Sequence, residues 1–211
     1  MAGPIIAVVS VKGGAGKTSI LAAMAAELAH RGEKVHLVDA DAQGSLAAWH
    51  AIGGPLSSLP IAIDPSEKAA QKALEAARKG LVLVDTGGAA TRTLVAVLEV
   101  ANIILIPCRP SGLDASRAQQ ALSLINTVNQ ARKRKARSVV VLNSCTRSAM
   151  LGHIRSELES SGVTVLRSEI GQRTAFAESF LHGSAPVHMG RPAAKAAAEI
   201  EAMVNELMSK G

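Results

Sequence analysis

An α/β three-layer sandwich built on a mainly parallel sheet is the fold class this sequence predicts, on three observations. Short apolar runs of strand length alternate with alanine- and leucine-rich stretches of helical length along all 211 residues. Three of the runs end on a polar or acidic residue, at Asp39, Asp85 and Asn143. In an open parallel sheet, functional groups collect beyond the carboxyl ends of the strands. The first run leads through a glycine-rich turn straight into a helix, the joint expected between a parallel strand and its crossover.

Composition narrows what fills and surrounds that sandwich. The length suits one domain, residues 1–211, large enough to bury most of its apolar surface. Hydrophobic residues make up 48% but aromatic ones only 1%, so Ala, Val, Leu and Ile must form the core. The apolar runs fall well short of the ~20 residues a membrane span needs. No charged-then-apolar leader opens the chain, and a cytoplasmic location is expected. Cys108 and Cys145 are isolated, which favours neither a disulfide framework nor a zinc site. Lys and Arg number 23 against 17 acidic residues, a net charge of +6. Such a surplus bears on partners rather than fold; DNA is the leading polyanion and an anionic membrane surface the second.

Taken in order, Ile5-Ile6-Ala7-Val8-Val9 is the first buried strand, and Ser10 to Ser19 reads S-V-K-G-G-A-G-K-T-S. Gly13, Gly14 and Gly16 let the backbone curl so that its N–H groups converge on a phosphate, aided by the dipole of the new helix. Lys17 would reach the β- and γ-phosphates, and the Thr18 hydroxyl would coordinate Mg²⁺. The strict P-loop pattern wants glycine where Val11 stands; the chain carries a second lysine, Lys12, instead. The helix should run from about Lys17 to His30 and stop at Gly32.

The strand Lys34–Val38 then runs into Asp39-Ala40-Asp41-Ala42-Gln43-Gly44, a pair of carboxylates placed beside the phosphate loop. Trp49, on a short helix beginning near Leu46, reads as packing. After a loop and a short strand at Ile61–Ile63, Pro65 and Ser66 start a helix to about Lys79. Leu81-Val82-Leu83-Val84-Asp85 is a Walker B arrangement, with Asp85 holding Mg²⁺ through a water. Thr86-Gly87-Gly88 can rearrange and reads as the γ-phosphate switch. A helix at Thr91–Val100, a strand at Ile103–Pro107 and a helix from Asp114 to about Gln130 come next. The basic run Ala131–Arg137 suits either a solvated helix end or nucleic acid. A strand at Ser138–Leu142 reaches Asn143; a helix at Met150–Ser160, a strand at Val163–Leu166 and a final helix at Ala193–Met208 complete the alternation. Lys195, in the first turn of that helix, opposes its dipole and so suggests another purpose.

The segment K-G-G-x-G-K-T, with its early lysine, resembles the deviant Walker A motif of the ParA/MinD ATPases. The resemblance extends to the family's V-D-x-D-P-Q segment at Val38–Gln43 (Ala42 replaces the proline), its P-x-x-x-L-D segment at Arg109–Asp114 and its R-x-x-F-x-E-S stretch at Arg173–Ser179. It covers nearly the whole chain and is most like the small ParF-like and McdA-like members. It implies a P-loop NTPase that binds ATP through Lys12, Gly13, Gly14, Ala15, Gly16, Lys17, Thr18 and Ser19, and that closes as a homodimer over two ATP molecules. Lys12 would act across the dimer on the partner's nucleotide, Lys17 on the chain's own. Asp41 would orient or activate the attacking water; Asp39 would support Mg²⁺ and the loop. Asn143 would lie at the adenine, whose edge an amide can meet as both donor and acceptor.

Function, by the same resemblance, is ATP-dependent partitioning or positioning of a plasmid, a chromosome region or a protein assembly such as a carboxysome. The ATP-bound dimer would bind double-stranded DNA without sequence preference through Arg167, Arg173, Arg191 and Lys195. A ParB-like or cargo-adaptor protein would stimulate hydrolysis and release it. Two rival readings remain. A MinD-like membrane-surface ATPase would want a basic amphipathic C-terminal helix, and Ile200–Gly211 has little positive charge and no aromatic anchor. An amide synthase or iron–sulfur component of the same superfamily would want a cluster context that two isolated cysteines do not supply.

Overall fold

The computed structural model describes residues 2–11, 13–89, 91–133, 135–146 and 149–209. Among them the strands β1 (Ile5–Val8), β2 (Val35–Ala40), β3 (Ile61–Ile63), β4 (Leu81–Thr86), β5 (Ile103–Cys108), β6 (Arg137–Cys145) and β7 (Val165–Gly171) form one sheet in the order β3-β2-β4-β1-β5-β6-β7. Every adjacent pair is parallel. Because successive side chains alternate between faces, each continuous apolar run feeds two cores at once. Ile5, Ala7 and Val9 join one cluster with Val82, Val84, Ile104 and Ile106; Ile6 and Val8 join the other with Leu37, Leu83 and Leu105.

Helices cover both faces. The first cluster is closed by α3 (Lys68–Ala77), α4 (Arg92–Val100), α5 (Gly112–Ala131) and α6 (Ala149–Ser160). The second is closed by α1 (Lys17–His30), α2 (Ser45–Ala51) and α8 (Ala194–Met208), with α7 (Thr174–Leu181) beside the last. The alanine-rich segments serve this arrangement: Ala69, Ala73 and Ala77 lie at four-residue spacing on the buried stripe of α3. Sequence β1 lies at the centre; the chain leaves it to one side through α1 and later crosses over to β5 on the other. That is the switch point at which open sheets of this kind bind ligands.

Two boundaries differ from expectation. Asp64 accepts the Ser66 N–H and hydroxyl, an Asx turn that delays α3 to Lys68. Strand β7 runs to Gly171, well past the expected Leu166, because α8 supplies what a neighbouring strand would. Glu206 accepts the N–H groups of Arg167 and Ser168 (2.7 and 2.9 Å), and Glu199 accepts that of Gly171 (3.1 Å). Seven residues of helix and three of strand both span about 10 Å, so the two carboxylates fall in step with the strand edge.

The basic run is neither wholly solvated nor the tail of α5. Arg132 turns inward to donate to the carbonyls of Leu98 and Ala101 (2.6 and 2.8 Å), capping α4. Arg137 opens β6 and donates to the Leu207 and Ser209 carbonyls at the end of α8. Cations at helix C-termini satisfy orphan carbonyls and complement the dipole. Lys133 and Lys135 stay exposed.

Candidate functional site

Parallel register sets the site. Val8 of β1 pairs with Asp85 of β4, and Asp85 with Asp39 of β2, so three strand ends stand level. The Thr86 hydroxyl ties β4 back to β1 by donating to the Val8 carbonyl at 2.8 Å. Beyond β1 the glycine loop enters α1 through Gly16, whose φ of 87° is left-handed backbone that suits glycine. The first turn of α1 contains no acidic residue. Its free N–H groups and positive dipole end therefore suit an anion.

Lys17 is 7% exposed and its Nζ donates to Ser10 Oγ at 3.2 Å, which draws the ammonium back along the loop. Thr18 Oγ1 donates to Asp85 Oδ2 at 2.7 Å. Asp85 is fully buried, and its Oδ1 has no hydrogen-bond partner. Burial pushes the Asp85 carboxyl up to about 7, with Asp39 adding to the rise and the Thr18 hydroxyl and Lys17 opposing it. An orphaned carboxylate oxygen beside a hydroxyl, at the mouth of a phosphate loop, fits Mg²⁺. Among the described residues no group of three or more His, Cys, Asp and Glu could hold a metal by itself. Mg²⁺ characteristically keeps its waters and takes one or two protein oxygens plus substrate phosphates.

Asp39 has a different task from Asp85. Its Oδ1 accepts the Asp41 N–H (3.1 Å) and its Oδ2 the Ala47 N–H (2.8 Å) at the start of α2. Of the two roles expected for it, support of Mg²⁺ and of the loop, these bonds serve the loop, each oxygen accepting a backbone N–H. Burial raises its carboxyl above the ordinary range, and the backbone N–H groups hold it back. Asp41 accepts the Gln43 N–H at 3.0 Å and lies against Gly87, where a modest side chain would already touch it.

A cavity of about 830 Å³ joins these parts, ample for a nucleoside triphosphate. Gly13, Gly14, Gly16, Lys17, Thr18 and Ser19 line one end and Asp41 one wall. Trp49, Phe176 and Phe180 line the cavity as well; Trp49 is packed, as expected, edge-on to Phe180 with ring centres 5.3 Å apart. Lys12 lies outside the described residues.

Other predicted residues sit elsewhere than expected. Asn143, expected at the adenine, is buried and donates from Nδ2 to the Ala15 carbonyl at 2.8 Å, behind the loop and away from the cavity lining. Arg173, expected on DNA, lines the nucleotide cavity and is ion-paired to Glu199. Arg167, Arg191 and Lys195 are exposed, but the four cations do not form one cluster. Arg167 sits by Glu206 near the C-terminal end of α8, whereas Arg191 and Lys195 flank its start, about 16 Å away along the axis. Sequence reasoning missed Phe180 and Glu199; it placed Thr86 in the γ-phosphate switch without its tie to Val8, and named Ser10 and Phe176 only as members of their motifs. Nothing local marks Glu199. Burial pushes the Cys108 and Cys145 thiols up to about 12 and about 11, which keeps both protonated and poor as thiolate ligands.

Comparison with known proteins agrees with this geometry. A family model described as the CobQ/CobB/MinD/ParA nucleotide binding domain matches residues 6–187. Protein ParA of Rhizobium radiobacter is 32% identical over 185 residues, covering 85% of this chain and 83% of that protein. Maintenance of carboxysome distribution protein A of Halothiobacillus neapolitanus is 28% identical over 207 residues, 96% of this chain and 95% of that one. Among solved structures, the ATP complex of Cyanothece McdA superposes with a TM-score of 0.81 at 14% identity, covering 100% of this chain and 98% of the other. MinD of Pyrococcus horikoshii with Mg-ADP superposes at 0.78 with 16% identity, covering 98% and 96%. At such identities the structures speak for the fold alone, and it is the same α/β nucleotide-binding fold. With the family model spanning residues 6–187, the chain belongs to the CobQ/CobB/MinD/ParA nucleotide-binding domain family.

Proposed function

We propose that the protein is a single-domain, ATP-dependent partitioning or positioning ATPase. ATP closes a sandwich homodimer that binds double-stranded DNA without sequence preference, placing the protein on the nucleoid. A cargo-bound partner of ParB or adaptor type then stimulates hydrolysis and releases the dimer. The cargo is a plasmid, a chromosome region or a protein assembly. The observation that carries the ATPase part is the Thr18–Asp85 hydrogen bond with the orphaned Asp85 Oδ1 beside it, at the level of the buried Lys17. Partitioning rests on the likeness to ParA and to the carboxysome distribution protein over most of each chain. No helix among the described residues is long and apolar enough to cross a membrane.

In this reading the loop N–H groups and Lys17 bind the phosphate chain of ATP and stabilise charge on the γ-phosphoryl oxygens. Thr18 and, through a water, Asp85 would hold Mg²⁺, which would supply charge neutralisation to the phosphate chain. Asp41 orients the water that attacks the γ-phosphorus as the bond to the ADP oxygen breaks, yielding ADP and phosphate. Lys12 delivers a cation to the partner subunit's nucleotide, so catalysis depends on dimerisation as it does with an arginine finger.

The test is a titration of two unrelated DNA duplexes at several salt concentrations, with ATP and with ADP, alongside light scattering. The expected result is tighter, more salt-dependent binding and a dimer with ATP alone. Equal affinity in both nucleotide states overturns the DNA-partitioning reading.

A further inference from the structure

Asn143 stands at the carboxyl end of β6, where the strand departs from regular pairing. The β6–β7 register shifts between Val140 and Leu142 and again between Asn143 and Cys145. The next residue, Ser144, has φ 54°, a left-handed conformation that no other non-glycine residue among those described adopts. Backbone of this kind is strained and persists where its surroundings demand it. Asn143 immediately precedes this irregular backbone, and its side chain reaches the phosphate loop.

There the amide meets the loop backbone. Asn143 Nδ2 donates to the Ala15 carbonyl, and since a carbonyl only accepts, the NH₂ group must be the one facing it. Its fit is close, because a Cβ built on Gly16 would collide with Nδ2. The side chain thus occupies the space that the glycine leaves. Because a peptide unit is planar and trans, the carbonyl of Ala15 and the N–H of Gly16 point in opposite directions. Drawing the carbonyl down to Asn143 turns the Gly16 N–H the other way, and Gly16 lines the nucleotide cavity.

We infer that Asn143 is a positioning residue for the phosphate loop: its amide fixes the Ala15–Gly16 peptide plane and so aims the Gly16 N–H at the nucleotide's phosphates. This rests on the reading of the loop as a nucleotide site and assigns Asn143 a role that is independent of the base. A donor held in place before binding needs no ordering when the anion arrives.

The experiment is calorimetric titration of wild type, Asn143→Ala and Asn143→Asp with Mg-ATP, Mg-GTP and inorganic tripolyphosphate, with thermal melts of each protein. Asn143→Ala should weaken all three ligands by the same factor, roughly 5–10-fold, the scale of one hydrogen bond. Asn143→Asp keeps the shape but sets a carboxylate against the Ala15 carbonyl, and should weaken all three further. Asn143→Ser, with a hydroxyl too short to reach, gives the same readout should the alanine variant melt early. Loss of ATP affinity with tripolyphosphate affinity intact would make Asn143 a base reader and overturn the inference. A wild type that binds ATP and tripolyphosphate no better than buffer would instead overturn the nucleotide-site reading itself.

Discussion

Arg173 and Glu199 form a two-pronged ion pair: Arg173 Nε donates to Glu199 Oε2 at 2.9 Å and Nη2 donates to Oε1, while Oε2 also accepts the Gly171 N–H. The guanidinium lies flat against Gly171, where an added Cβ would sit 3.1–3.2 Å from it. The pair therefore joins three things, the end of β7, the first residue before α7 and the second turn of α8, at the wall of the nucleotide cavity.

A guanidinium already committed to a carboxylate is a poor phosphate contact. Each phosphate a protein neutralises adds about −0.9 to the slope of log affinity against log salt. Lys195→Ala and Arg191→Ala should each flatten that slope in the ATP state, equally for unrelated duplexes. Arg173→Ala should leave it unchanged. A flattening as large as that of Lys195→Ala would mean that the pair opens on DNA.

For the nucleotide itself, Lys17→Ala should abolish ATP binding by calorimetry, since it removes the buried cation at the loop. Lys12→Ala should still bind ATP but fail to dimerise with it and turn over poorly. Light scattering in the presence of ATP decides this; an undiminished dimer removes the role across the interface.

Asp41→Ala should bind ATP and form the dimer while losing about 10²–10⁴-fold in hydrolysis, the range of a lost proton-handling group. The variant should then accumulate on DNA. Unchanged turnover would pass the water to another holder.

Glu206 links stability to pH. Burial works against its ionisation, yet the N–H groups of Arg167 and Ser168 and the Ser168 hydroxyl win and hold its carboxyl below the ordinary value. A depressed carboxyl contributes stability that is present above its unfolded pKa and lost as pH falls through the folded one. Glu206→Ala should cost about 1–3 kcal/mol near pH 7. That cost should shrink as acid protonates the wild-type group below about pH 4.5, a range set by ordinary glutamate. Melting curves at both ends of the range test it; a cost independent of pH would mean packing, not charge.

What was legible in the sequence was whatever a contiguous pattern dictates. A strand, a glycine turn and a helix start put Lys17 and Thr18 in place within ten residues, and the acid closing an apolar run placed Asp85 level with them. Asn143 and Arg173 were found as residues but given other neighbours. The first is decided by a carbonyl 128 positions away and the second by a carboxylate 26 positions on. Arg132 and Arg137 misled for the same reason: a dense basic run looks like a surface until the helix ends that it caps are folded against it.

The two glutamates of α8 that run along β7 also restrict how this molecule can be recognised. An extended peptide captured by strand addition needs free N–H groups along a sheet edge, and three of those on β7 are already taken by carboxylates that also repel an incoming carbonyl. The opposite edge, β3, is three residues long, too short to template a strand of ordinary length. Neither edge of the sheet is therefore open to a partner that would extend it by a strand.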